Sequence, residues 1–148
     1  MSTYTQILYQ IVFSTKERKH TLREENRRQL YKYIWGICSN KKCRLYQING
    51  IDNHIHMITH LHPTIALADF VREIKTSTSG WIKGNDLFPT FRSWQIGYAA
   101  FTYSIGSKKN LVNYVKNQVA HHQKKSFIDE LKELLKEHNV SYDHKYLL

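Results

Sequence analysis

The stretch Cys43-Arg44-Leu45-Tyr46-Gln47-Ile48-Asn49-Gly50-Ile51-Asp52-Asn53-His54-Ile55-His56-Met57-Ile58-Thr59-His60-Leu61 decides the fold. Two runs rich in β-branched and aromatic residues flank Asp52-Asn53, a turn signal, so 43–51 and 54–61 read as the arms of a β-hairpin. In a strand, side chains at i and i+2 leave the same face, so His54 and His56 point together while Ile55 packs on the other side. Two imidazoles on one face of a rigid element form a candidate metal-ligand pair. The competing reading is two satisfied or surface histidines, which only a third ligand and a reactive group would displace.

Outward from the hairpin, Tyr4–Phe13 reads as a first strand. Thr21 with Glu24 three residues later forms a capping box for a helix over 22–38. Downstream, Pro63-Thr64 opens a helix over 65–82, and 85–96 reads as loop. Tyr98–Ser104 is a fourth strand, ended by Gly106. Ser107 is a plausible cap for a helix over 108–123, and Ser126 for another over 127–138. The order β-α-β-β-α-β is the ferredoxin-like pattern, an α+β fold. Right-handed crossovers give an antiparallel four-stranded sheet in the order 4-1-3-2, followed by C-terminal helices.

The 148 residues suit one domain, 1–148. No apolar run approaches the roughly 18–20 residues that span a membrane, and the first residues lack the order of a secretory signal. Cys38 and Cys43 read as reduced thiols of a cytosolic protein. The formal charge of +10, from 22 Lys and Arg against 12 Asp and Glu, favours a polyanionic partner. Aromatic residues interleaved with the cations suit single-stranded nucleic acid, whose bases stack. A basic but inert surface over an aromatic core is the alternative. Arg18, Lys19, Arg23, Arg27, Lys108 and Lys109 are the candidate DNA contacts.

Tyr114-Val115-Lys116-Asn117-Gln118 is the second constellation. On a helix, i and i+4 share a face. An amide oxygen can ligate a hard cation such as Mg²⁺ or Mn²⁺, and a phenolate oxygen can attack phosphorus. A tyrosine with a pKa near 10 is only about one part in a thousand ionised at pH 7, so a cation on the scissile phosphate would be needed. By itself Tyr-x3-Gln is a weak signal and reads as ordinary helix surface.

Together, His54-Ile55-His56 and Tyr114-x3-Gln118 resemble the HUH single-tyrosine transposases of small bacterial insertion sequences, the TnpA type. The resemblance covers nearly the whole chain. It includes the element order, the block Trp94-Gln95-Ile96-Gly97-Tyr98-Ala99-Ala100-Phe101, the run from Tyr114 through Val119-Ala120-His121-His122, and the closing Phe127…Leu131…Leu134-Leu135…Tyr142…Tyr146. No motif position departs from the pattern. The resemblance implies cleavage of single-stranded transposon DNA near hairpin ends. Tyr114 would be the nucleophile, leaving a 5′-phosphotyrosine, and His54, His56 and Gln118 would hold one Mg²⁺ or Mn²⁺. It also implies a homodimer with composite active sites, Ser104-Ile105-Gly106-Ser107 being the connection that lets the tyrosine helix serve the other subunit, and work in the bacterial cytoplasm.

The other histidines stay open at this point. His60 lies about 20 Å from His54 along a straight strand, too far for one metal. A separate zinc site using His60, His62, Cys38 or Cys43 is the minor alternative. His121 and His122 read as helix surface, with an outer-shell or phosphate contact as the alternative. Asp52 and Asn53 are explained by the turn, with an approach to the metal as the alternative. Trp94 and Tyr98 fit either the core or base stacking. A non-catalytic module of the RNA-recognition type shares the fold class, but the third strand carries histidines where stacking rings are expected, and no Gly-Phe-x-Phe signature is present.

Overall fold

The computed structural model describes residues 2–147. Four strands form one antiparallel sheet: β1 (Leu8–Ser14), β2 (Arg44–Gly50), β3 (His54–His60) and β4 (Ala99–Tyr103). Their spatial order is β2-β3-β1-β4, which is the expected 4-1-3-2 order read from the other edge. β1 and β3 are central. In their register Val12 faces His56 and Ser14 faces His54.

Both faces of the sheet are covered, so residues of both parities along the two central strands are buried, the polar ones among them included. Ile11, Phe13, Ile55 and Met57 pack on one face, against Leu30, Ile34 and Cys38 of α1 (Glu24–Asn40) and Phe70, Val71 and Ile74 of α2 (Leu67–Asn85). Trp94 belongs to this core: its ring meets Phe13 edge-on at 5.0 Å, and its Nε1 donates to Thr78 Oγ1 at 2.8 Å. The opposite face carries the two histidines. There Leu8 and Ile58 pack on Leu111 and Val115 of α3 (Lys108–Lys116), and Val12, Ala99 and Phe101 pack on Phe127, Leu131 and Leu134 of α5 (Phe127–Glu137).

Two local expectations are corrected. Thr21 does not cap α1. The N-cap position is Arg23, without a side-chain cap bond. The backbone amides of Thr21 and Leu22 instead donate to the Asp52 carbonyl at 2.9 and 2.8 Å, so tertiary pairing with the hairpin turn holds the segment extended. The helix expected over 108–123 is also not continuous. It breaks at Asn117, with φ −94° and ψ 17°, into α3 and a short α4 (Gln118–His122). Ser126 does cap α5, its hydroxyl accepting from the Asp129 amide at 3.2 Å. Among the described residues no helix is long and apolar enough to cross a membrane.

Candidate active site

His54 and His56 project from β3 into the layer between the sheet and α3 to α5, and both are fully buried. The pairing of their rings follows from neighbouring side chains. His54 Nδ1 meets Asn53 Oδ1 at 2.8 Å, and His56 Nδ1 meets Gln10 Oε1 at 3.0 Å. Each ring therefore donates through Nδ1 and turns a bare Nε2 inward. Asn53, whose place in the turn was explanation enough in the sequence, thus also orients the first histidine.

Gln118, also fully buried, approaches from α4. Its Nε2 donates to Glu130 Oε2 at 3.0 Å, which leaves its Oε1 3.2 Å from His54 Nε2. Two ring nitrogens and an amide oxygen converge without a hydrogen to share. That donor set fits a divalent cation, the three residues offering the lone pairs.

Tyr114 lies on the same side, its ring centroid 5.9 Å from that of His56. Its hydroxyl donates to Glu130 Oε2. Burial, followed by the adjacent Glu130 carboxylate, raises the phenol well above its ordinary range. Tyr114 is thus a protonated phenol in this arrangement, and it meets solvent through a cavity of about 410 Å³ lined by Gln10, Tyr103, His121, Glu130 and Glu133 among others. One chain by itself brings Tyr114, His54, His56 and Gln118 together.

Sequence reasoning missed one member of this cluster, Glu130, and favoured helix surface for another, His122. Glu130, only 1% exposed, sits on the apolar stripe of α5 between Phe127, Leu131 and Leu134. Its Oε1 lies 2.8 Å from His56 Nε2 and 3.0 Å from His122 Nε2. For His54, burial dominates and lowers the ring to about 4, so it is neutral at pH 7. His122 is not helix surface: its Nδ1 donates to the Lys125 carbonyl at 2.7 Å, and its Nε2 faces Gln118 Oε1 at 3.0 Å. The signals were present in sequence. An acid interrupting an apolar helical stripe marks Glu130, and a histidine four residues after Gln118 marks His122.

The candidate DNA contacts divide. Arg23 and Arg27 line a cavity of about 460 Å³ that also reaches His20, Asp52 and His122, so they border the site. Lys19 pairs with Glu17 at 3.5 Å and lies with Thr90 and Arg92 around a different cavity. Lys108 lies over the Tyr46 ring at 4.7 Å, and Lys109 is exposed on α3. Arg18 belongs to the turn before α1. His60 and His62 are engaged locally, with the Ile7 backbone at 3.1 Å and with Thr64 Oγ1 at 2.7 Å, and Cys38 and Cys43 are buried free thiols.

The family model described as "Transposase IS200 like" matches residues 3–118. The chain belongs to the IS200-like transposase family. Two similar relatives are the transposases for insertion sequence element IS200 of Salmonella typhimurium and Salmonella typhi. Each is 27% identical over 116 residues, covering 75% of this chain and 76% of the relative. Among solved structures, a candidate transposase from Deinococcus radiodurans R1 superposes with a TM-score of 0.62 at 19% identity, covering 80% of this chain and 95% of that one. A REP-associated tyrosine transposase bound to a REP hairpin gives 0.60 at 16% identity, covering 82% and 74%. At these identities the structures establish the shared fold. The span matched by the IS200-like model closes at Gln118, so α5 and most of α4 lie beyond it.

Proposed function

We propose that this transposase, with residues 1–148 as one catalytic domain, cuts and rejoins single-stranded DNA using Tyr114 as nucleophile. The observation that carries the reading is the meeting of the Tyr114 hydroxyl, the two β3 imidazoles and the Gln118 amide around one buried carboxylate. In the proposed reaction the Tyr114 oxygen forms a bond to the scissile phosphorus and loses its proton. The bond from phosphorus to the 3′ oxygen breaks, and that oxygen takes up a proton as a free 3′-OH. The 5′ end stays on the enzyme as phosphotyrosine. Rejoining is the reverse exchange with another 3′-OH, so one phosphodiester replaces another and no nucleotide cofactor is required.

His54, His56 and Gln118 would hold a Mg²⁺ or Mn²⁺ ion. When bound, that ion supplies positive charge at the phosphate and fixes its orientation for in-line attack. The chain's own contribution is placement. Asn53 and Gln10 lock the two rings, Glu130 locks the Gln118 amide, and β3 supplies a base that cannot drift. Arg23 and Arg27, on the rim near His122, suit the strand's phosphates. A strand with hairpin ends is the proposed substrate, in keeping with the hairpin held by the REP-associated neighbour. A homodimer with composite sites, working in the bacterial cytoplasm, completes the proposal.

The test is a single-stranded oligonucleotide carrying the element's own hairpin end, incubated with protein and Mn²⁺. The wild type is expected to yield a protein–DNA adduct stable to denaturation, and Tyr114→Phe none. An adduct that persists in Tyr114→Phe removes Tyr114 as the nucleophile.

A further inference from the structure

We propose that His122 and Glu130 complete the ligand shell begun by His54, His56 and Gln118, and that this nitrogen-rich set selects a transition-metal dication of the Mn²⁺ to Zn²⁺ series over Mg²⁺. The inference rests on the metal reading above and extends it to two residues beyond the span shared with the family model.

His122 Nδ1 lies 2.7 Å from the Lys125 carbonyl oxygen, which can only accept. His54 and His56 present their Nδ1 atoms to amide oxygens in the same way. All three Nε2 atoms are then bare, and all three point at oxygens that also carry no hydrogen. Glu130 Oε1 is 2.8 Å from His56 Nε2, 3.0 Å from His122 Nε2 and 3.5 Å from His54 Nε2. Gln118 Oε1 is 3.2 Å from His54 Nε2 and 3.0 Å from His122 Nε2. Reversing the tautomers would only move the conflict, placing bare Nδ1 atoms against carbonyl oxygens. Protonating all three rings would bury three positive charges beside one carboxylate. A cation at the centre resolves every contact at once.

The spacing agrees. Ligands about 2.1 Å from an ion stand roughly 3.0 Å apart in an octahedron and roughly 3.4 Å in a tetrahedron. The five contacts run from 2.8 to 3.5 Å, and the ligand atoms of the three rings and Glu130 all lie within 4.8 Å of one another.

The ion class follows from donor chemistry and burial. Mg²⁺ prefers oxygen ligands, keeps several waters and dehydrates reluctantly. Here three of five donors are imidazoles, and His54, His56, Gln118 and Glu130 are at most 1% exposed. Phe127 stacks on the His54 ring at 4.2 Å, closing that side. Imidazole with a single carboxylate suits ions from Mn²⁺ through Zn²⁺.

Metal-stripped full-length protein should be titrated with MnCl₂ and MgCl₂ by calorimetry, and the Mn²⁺ form examined by pulsed EPR, which counts directly bound imidazole nitrogens. The expected result is Mn²⁺ binding at least about tenfold tighter than Mg²⁺, with three imidazole nitrogens in the wild type and two in His122→Ala. His122→Ala and Glu130→Gln are each expected to weaken Mn²⁺ by about 10- to 100-fold. Equal Mg²⁺ and Mn²⁺ affinities, or two nitrogens in the wild type, overturn the proposal while leaving a three-residue site standing. Mn²⁺ binding that survives His54→Ala overturns the metal reading as a whole. The nitrogen count needs only the wild type, so it decides even where a variant fails to fold.

Discussion

Tyr31 shows how one atom sets a stability margin. Its ring packs on the core below α1, and its buried hydroxyl oxygen has no hydrogen-bond partner among the described residues. Burial raises its pKa to about 12, the Arg27 guanidinium opposing. Below pH 10 both the folded and unfolded chains keep this proton, and the group contributes no pH dependence. Between pH 10 and about 12 the unfolded chain releases the proton and the folded one retains it, so stability falls as pH rises. Tyr31→Phe is expected to stabilise the protein by about 1 kcal/mol at neutral pH, since an unpaired buried hydroxyl is removed. It should also make the alkaline loss shallower. Chemical denaturation at pH 7.5 and at pH 11 checks both, and a destabilised Tyr31→Phe at neutral pH would show that the hydroxyl does have a partner. At this same scale the site was half legible. The period of two in His54-Ile55-His56 needs only a strand to put both rings on one face. Glu130 needs knowledge of which helix lands on that face, and this depends on contacts between residues 74 positions apart.

At the scale of elements, the hairpin positions the site. Gly50 ends β2 opposite Ile55, and a Cβ built there would lie 2.0 Å from the His54 carbonyl oxygen. Backbone, not a pliable side chain, would have to move. Gly50→Ala is therefore expected to cost about 1–3 kcal/mol and to shift His54, weakening Mn²⁺ binding as well. Thermal unfolding with and without Mn²⁺ reads both effects, and a variant that unfolds earlier but keeps its full metal-induced shift would confine the damage to the turn. The strands were legible because alternation and turn residues are local signals, and the sheet order follows from handed crossovers. The start of α1 was not, because the Asp52 carbonyl takes the Thr21 and Leu22 amides and holds that segment out of the helix. Nor was the break at Asn117, since Tyr114 through His122 carries no glycine or proline to announce it.

For the molecule as a whole, the charge of +10 is only partly free for DNA. Lys41 pairs with Glu73, and Lys75 Nζ donates to the Gln95 carbonyl at 2.7 Å and also to that of Gly97. Arg23 and Arg27 border the site, Arg23 itself pairing with Glu25 at 3.1 Å, and composition could not single them out. The proposed dimer with composite sites makes a sharp prediction, because the single chain already assembles its own tyrosine and histidines. Mixing inactive Tyr114→Phe with inactive His54→Ala, after subunit exchange, is expected to restore cleavage through a site drawing Tyr114 from one subunit and His54 from the other. No recovery at any ratio, with exchange verified, would mean that each tyrosine serves its own chain. The break at Asn117 bears on how such a machine is jointed. An unbroken helix transmits every rotation of Tyr114 to Gln118 as a shaft turns a wheel at its far end. Here the shaft is cut: Tyr114 rides on α3, which packs on Leu8 and Ile58, while Gln118 is tethered to Glu130 of α5. Tyr114 and Gln118 thus stand on separate elements, and it is the Glu130 carboxylate, to which both side chains donate, that couples them.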